Sequence, residues 1–345
     1  MQFNKKIFVN GREISDNSPV YIIAEAGVNH LGDMRIAKKM VDVALAARAD
    51  AIKFQSFKTE NLILKNIEKA PYQKETTNPA ESQYEMLKKL EVSKKFTEEL
   101  MKYCKLQGIT FLSTPFDEAS LRALHLPAYK ISSTDITNLL FLRKVAKKRR
   151  PIILSTGMSN MCEIELALEE IIPFNKDVII LHCTSNYPIQ DSEVNLSALN
   201  TLKNKFDILV GFPDHSLGIG AGAYAVPMGA KVIEKHFTLN KDFDGPDHTA
   251  SLSPEELIKF VEEIRKVETY LGQPIKMPTF SELNTKKSLQ KYFVARINIQ
   301  SNEIFTESNI IAKRTGGEGL SPIYYKNVLG KRAKKSFKKD EIIVV

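Results

Sequence analysis

Residues 20–55 read VYIIAEAGVNHLGDMRIAKKMVDVALAARADAIKFQ. Two short runs rich in β-branched and apolar residues, 20–26 and 50–55, flank the stretch MRIAKKMVDVALAARA, whose apolar positions recur at helical spacing. Strand, helix and strand in that order predict a parallel βαβ unit. The alternation continues along the chain, with further strands predicted at 109–113, 128–132, 151–156, 178–184, 207–212 and 231–237. Eight such strands predict an α/β fold, a (β/α)8 TIM barrel.

The flanking segments complete the plan. KIFVNGREIS, before the first strand, carries an Asn10-Gly11 turn between alternating residues and predicts a β-hairpin plugging the barrel bottom. The segment from Ser56 to about Leu90 exceeds an ordinary βα connection and predicts a flap over one end of the barrel. The barrel pattern stops at Leu271-Gly272, which sets a first domain at 1–272 and a linker at 273–286. From 287 to 345 the elements are short and broken by Gly316-Gly317, Gly319 and Pro322, as expected of a small, mostly β second domain.

Composition narrows the class. The 345 residues are 43% hydrophobic and 26% charged, which fits a globular protein. No apolar run approaches the roughly 18 residues needed to cross a bilayer, so no membrane partner is expected. The first residues lack the apolar core and cleavage site of a secretory signal. Cys104, Cys162 and Cys183 show no C-x-x-C pairing, and a cytoplasmic location is expected. The net charge of +8 includes basic runs at 147–150 and 331–339. No aromatic interleaving or nucleic-acid motif accompanies them, so they are read as solvated surface, and no nucleic-acid partner is expected. A modest positive field also draws anionic substrates.

In a barrel of this kind the active site lies at the C-terminal ends of the strands. Polar residues gather there: Glu25; Lys53 and Gln55; Ser113 and Thr114; Lys130 and Ser133; Ser155 and Thr156; His182 and Thr184; Asp214 and His215; Glu234 and His236. Lys53 and Lys130 are ammonium groups that an apolar barrel wall does not tolerate unpaired. With Ser133 and Ser155 they make a phosphate cradle, or each pairs structurally with Glu25 or Glu234. His215 and His236 end sequence-adjacent strands, which lie about 4.8 Å apart. Two neutral imidazoles with water and substrate oxygens suit a borderline divalent ion such as Mn²⁺; two structural histidines are the competing reading. Gly218, Gly220 and Gly222 lack the full dinucleotide-loop spacing and are assigned to helix packing.

The strings at these strand ends resemble the sialic acid synthase family. They are Ile22–His30, Lys53–Lys58, Ser113–Asp117, Leu154–Met158, His182–Thr184, Asp214–Ser216, Glu234–Thr238 and Gly245–His248, in order along the chain. Lys313-Arg314 and the glycines after them resemble that family's C-terminal domain, which is similar to type III antifreeze proteins and is also called a SAF domain.

The resemblance implies a synthase joining phosphoenolpyruvate to N-acetylmannosamine with water, giving N-acetylneuraminate and phosphate. The alternative acceptor is 2,4-diacetamido-2,4,6-trideoxymannose, giving a legionaminic acid. By the same resemblance Lys53, Thr114, Lys130, Ser133, Ser155 and Tyr187 hold phosphoenolpyruvate. Glu25 moves protons, Gln55 and Asp247 position sugar hydroxyls, and His215 and His236 bind Mn²⁺, with Mg²⁺ or Co²⁺ as alternatives. Arg314 reaches the acyl end of the sugar from the other subunit of a domain-swapped homodimer. A Schiff-base aldolase using Lys130 and a non-catalytic sugar-binding protein are the competing classes. The pseudaminic acid branch, with Leu-Ser-Ala in place of Ala26-Gly27-Val28, is disfavoured. Three departures from the family pattern stand out: Leu31 for asparagine, Ser133-Thr134-Asp135 for Ser-Gly-Glu, and Thr315 for proline.

Overall fold

The computed structural model of the chain describes residues 1–344. Asn10 and Gly11 take positive φ (49° and 83°), as a tight hairpin turn requires, and join β1 (Lys6–Val9) to β2 (Arg12–Ser15). Eight parallel strands follow: β3 (Tyr21–Gly27), β4 (Ala51–Ser56), β5 (Thr110–Pro115), β6 (Tyr129–Ile131), β7 (Ile152–Ser155), β8 (Val178–Leu181), β9 (Leu209–Asp214) and β10 (Ala230–His236). The sheet runs in the order β5-β4-β3-β10-β9-β8-β7-β6, so the first barrel strand pairs with the last. β5 and β6 pack side by side and bring the sheet round into a nearly closed (β/α)8 barrel.

Two hydrophobic clusters follow from the alternation of side chains along each strand. Ile22, Ala24 and Ala26 of β3 face outward and pack with the surrounding helices. Tyr21 and Ile23 face inward, where they meet Ala51, Leu112, Ile153, Leu209 and Val232. Ile7, Val9 and Ile14 of the hairpin belong to this inner cluster, so the hairpin closes the lower end of the barrel. The same parity points Glu25, Lys53, Thr114, Lys130, Ser155, Glu234 and His236 inward at the upper end. There the register sets Glu25 between Lys53 and His236.

The helices form where the apolar stripe predicts. Helix Met34–Ala46 is capped by Asp33, whose side chain accepts from Arg35 N, and it buries Ala37, Met40, Val41 and Ala44. Gly222, in helix Gly220–Ala225, is needed for packing, since a Cβ there would stand 2.5 Å from the Phe260 ring. The long segment after β4 forms three short helices, Thr59–Leu62, Pro71–Thr76 and Gln83–Leu90. They dock through Leu62, Leu87 and Leu90 onto Val28, Leu31, Phe57 and Phe116. Leu31, at the position where the family pattern has asparagine, holds a positive φ of 53° while packing against this lid.

The chain divides into a unit Met1–Gly272 and a second unit from Gln273 onward. The stretch read as a linker contains part of a helix, Phe280–Leu289, with a capping box between Thr279 and Glu282 and no buried residue. The second unit then pairs β11 (Lys291–Ala295) with antiparallel β12 (Ile310–Arg314) over a core that includes Phe293, Ile299, Phe305, Val328 and Phe337. Thr315 Oγ1 donates to the Glu318 carbonyl, which closes the loop after β12. Among the described residues no helix is long and apolar enough to cross a membrane.

Candidate active site

A cavity of about 460 Å³ opens above the strand ends, with the lid forming one wall. Its floor is ionic. Lys53 Nζ lies 2.8 Å from Glu25 Oε2 and 3.6 Å from Glu234 Oε1, and donates to Thr114 Oγ1 at 3.0 Å. Lys130 Nζ donates to Ser155 Oγ at 2.7 Å and lies 3.8 Å from Glu234 Oε1. All four charged groups are buried. Gln55 Nε2 stands 3.4 Å from Glu25 Oε1.

The two carboxyls differ in character because their surroundings differ. Burial pushes Glu25 up to about 7, against the pull of Lys53. Burial also opposes ionisation of Glu234, but Lys130 and Lys53 outweigh it and hold this carboxyl below the usual range. Glu234 is therefore a fixed countercharge, while Glu25 titrates near neutrality, as a proton-transfer group must. Burial lowers Lys130, with Glu234 opposing. For Lys53 burial works in the same direction, but Glu234 and Glu25 prevail and raise it.

Beside this floor the Tyr187 ring packs on His215, with centroids 4.1 Å apart, and edge-on to His236. The two imidazole centroids are 5.9 Å apart. His215 Nδ1 donates to the Thr184 carbonyl at 2.7 Å, which leaves Nε2 with the free lone pair. His236 Nδ1 is buried without a hydrogen-bond partner, 4.0 Å from Asp247 Oδ2. Burial holds His215 down to about 4 and His236 well below its ordinary value, so both rings are neutral. An orphaned buried nitrogen beside a second neutral imidazole fits a borderline divalent cation. Among the described residues no set of three His, Cys, Asp or Glu side chains is gathered around one point. An ion held by the two histidines would complete its shell with water and substrate oxygens.

A tight turn after β7 shapes another part of the lining. Gly157 N donates to Ser133 Oγ at 3.0 Å, and Ser133 Oγ lies 3.2 Å from Cys183 Sγ. A Cβ at Gly157 would stand 2.3 Å from Ser185 Oγ and 2.8 Å from Ser133 Oγ, so this approach needs glycine.

Comparison with known proteins identifies the family. The NeuB family profile matches residues 40–276, and a SAF domain profile matches residues 290–344. The chain belongs to the NeuB family. It is 46% identical over 328 residues to a Campylobacter jejuni protein named N,N′-diacetyllegionaminic acid synthase, covering 93% of this chain and 98% of that one. A Legionella pneumophila protein of the same name is 41% identical, covering 96% and 95%. Among solved structures, the N-acetylneuraminic acid synthetase of Leptospira borgpetersenii, in complex with citrate, superposes with a TM-score of 0.73 at 35% identity, covering 84% of this chain and 98% of that one. NeuB family membership makes this chain a transferase that forms carbon–carbon bonds from phosphoenolpyruvate and an acylated amino sugar.

Within this NeuB barrel, Glu25, Lys53, Gln55, Thr114, Lys130, Ser133, Ser155, Tyr187, His215, His236 and Asp247 all line one cavity. Arg314 is exposed at the end of β12 in the second unit. Several strand-end residues face the other way. His182 Nε2 bonds the Val194 carbonyl, Ser113 pairs with Ser56, and Asp214 pairs with Lys235 at 3.2 Å outside the barrel. Asp135, in the shortened Ser-Thr-Asp string, accepts from Asn138 and does not line the cavity. From sequence Glu234 is one of the polar strand-end residues and a candidate structural partner of the lysines, with no role in the chemistry; in the structure it is the anion between them. Strand alternation with His236 was the signal for it. Cys183, inside the string His182–Thr184 but given no role there, also lines the cavity, as do the lid residues Tyr72 and Met86, which no sequence motif marks.

Proposed function

We propose that this NeuB synthase condenses phosphoenolpyruvate with 2,4-diacetamido-2,4,6-trideoxymannose and water, giving N,N′-diacetyllegionaminic acid and phosphate. N-acetylmannosamine, the acceptor expected first from sequence, gives way to this one because the two relatives described above share that name across nearly the whole chain. The observation that carries the chemistry is the buried Glu25–Lys53–Glu234–Lys130 chain beside two neutral histidines.

In this reading Lys53 and Lys130, with Thr114, Ser133 and Ser155, bind the phosphate and carboxylate of phosphoenolpyruvate, and Tyr187 flanks it. Gln55 and Asp247 orient the sugar. His215 and His236 would hold the metal on which NeuB synthases generally depend, with Mn²⁺ as the proposed ion. When bound, it supplies Lewis-acid polarisation of the sugar aldehyde. Carbon 3 of phosphoenolpyruvate attacks that aldehyde carbon, and water adds at carbon 2. The tetrahedral intermediate then loses phosphate by carbon–oxygen cleavage. Glu25, titrating near neutrality, takes the proton from the attacking water, and Glu234 stays ionised and keeps the lysines in place. In the same proposal the enzyme works in the cytoplasm as a homodimer in which Arg314 from one protomer completes the partner's site.

An acceptor panel tests this function. Phosphate release is followed with phosphoenolpyruvate, Mn²⁺ and one of N-acetylmannosamine, its 6-phosphate, or the diacetamido sugar. The diacetamido sugar should give the highest kcat/KM. Preference for either other sugar would overturn the assignment.

A further inference from the structure

Part of the lid presents an apolar face to the cavity. Leu62, Ile63, Met86 and Leu87 line it, from the first and third lid helices and the residue after the first. The polar lid side chains in the lining bond one another: Gln83 Nε2 donates to Gln73 Oε1 at 2.9 Å, Gln73 Oε1 also accepts from Ala70 N at 3.1 Å, and Gln73 Nε2 donates to the Tyr72 hydroxyl at 3.3 Å. Among the described residues that line the cavity, the lysines and arginines are Lys53 and Lys130, both on the floor. The lid lysine Lys69 lies outside the lining and bonds Glu81 at 2.9 Å and Thr77 at 2.7 Å.

If the reacting aldehyde sits at the histidines, as in the function proposed above, the acceptor extends away from the strand ends. Its carbon 6 is then the atom farthest from the chemistry and meets the lid. We infer that Leu62, Ile63, Met86 and Leu87 form a specificity wall that selects a methyl group at carbon 6 and excludes a 6-phosphate. A hydroxyl against these four side chains loses water and gains no partner from them, and a phosphate dianion there meets no lysine or arginine of the lid lining. Apolar pockets reject an added hydroxyl by roughly 10- to 100-fold, and an unpaired buried dianion is rejected far more strongly.

The test uses three acceptors that share a 2-acetamidomannose frame and differ only at carbon 6: methyl, hydroxymethyl and phosphorylated hydroxymethyl. Wild-type kcat/KM should favour methyl over hydroxymethyl by at least about tenfold, and the phosphate ester should give no detectable turnover. Leu62→Gln and Met86→Gln should each shrink the methyl preference, mainly through KM, and Leu62→Lys should admit the phosphate ester. Equal use of the first two sugars by the wild type, or its turnover of the phosphate ester, overturns the inference. So does an unchanged ratio in glutamine variants that still bind phosphoenolpyruvate. If both glutamine variants fail to fold, the wild-type ratio decides alone. The assignment of the product is read separately, by comparing 4-acetamido with 4-hydroxyl acceptors that share a 6-methyl group. A methyl preference without a 4-acetamido preference keeps the wall and discards the legionaminic product; the reverse keeps the product and discards the wall.

Discussion

Glu234→Gln removes one negative charge from between two ammonium groups while keeping the shape of the side chain. Glu234 Oε1 stands 3.6 Å from Lys53 Nζ and 3.8 Å from Lys130 Nζ, with all three groups buried. At an effective dielectric of about 20 each attraction has a gross size on the order of 4 kcal/mol. Breaking a buried pair by deleting one partner costs about 3–5 kcal/mol net. For a domain of this size that lowers Tm by roughly 5–9 °C. Because Glu234 is held below its ordinary value of 4.5, its contribution is present above that pH and lost as pH falls through the folded value. The gap between wild type and variant should therefore close in acid. Phosphoenolpyruvate brings its own negative charge to the same lysines, so it should raise the Tm of the variant more than that of the wild type. Differential scanning fluorimetry across pH, with and without phosphoenolpyruvate, reads all three effects. A variant as stable as wild type at neutral pH, with an equal response to phosphoenolpyruvate, would refute the role of Glu234 as the countercharge of the cradle.

Other outcomes follow from the same geometry. His215→Ala and His236→Ala should each weaken Mn²⁺ binding by at least tenfold in calorimetry and abolish turnover with little change in Tm; unchanged Mn²⁺ affinity would make the pair structural. Gly157→Ala should push Ser133 and Ser185 apart and raise KM for phosphoenolpyruvate about tenfold or more, whereas an unchanged KM would show that the turn does not bind it. With Glu25 raised to about 7, kcat should rise with pH through that region as the carboxylate forms, and Glu25→Gln should remove this limb along with most activity. The raised value also means that stability is fullest below the ordinary value and declines as pH rises through about 7, a slope that Glu25→Gln should flatten. A mixed dimer of Glu25→Ala and Arg314→Ala protomers should recover roughly half of wild-type activity if Arg314 acts on the partner's site; a mixed dimer as weak as its parents would place Arg314 on its own barrel.

The barrel was legible because its strands and helices differ in hydrophobic period, and because residues such as Ile22 and Ile23 are apolar on both faces of β3. Parity within a strand was less legible. His182 and His236 look alike as strand-end histidines, but His182 is one residue out of phase with the inward Leu181 and bonds the Val194 carbonyl outside. Asp214 and Lys235 differ from their inward neighbours His215 and Glu234 in the same way. The partnership of Lys53 with both Glu25 and Glu234 depends on a register between β4, β3 and β10 that only closure of the sheet provides. The lid wall was illegible because Leu62 and Met86 lie on short helices joined by irregular turns, where no period marks the inward face.

In the proposed condensation water attacks carbon 2 of phosphoenolpyruvate and the carbon–oxygen bond breaks. One reaction tests it most directly: phosphoenolpyruvate labelled with ¹⁸O in the bridging position, the diacetamido sugar and Mn²⁺, with both products weighed by mass spectrometry. The products should be a nine-carbon 2-keto acid free of label and inorganic phosphate carrying it. Label retained in the sugar acid, or phosphate released with no sugar acid formed, would contradict it.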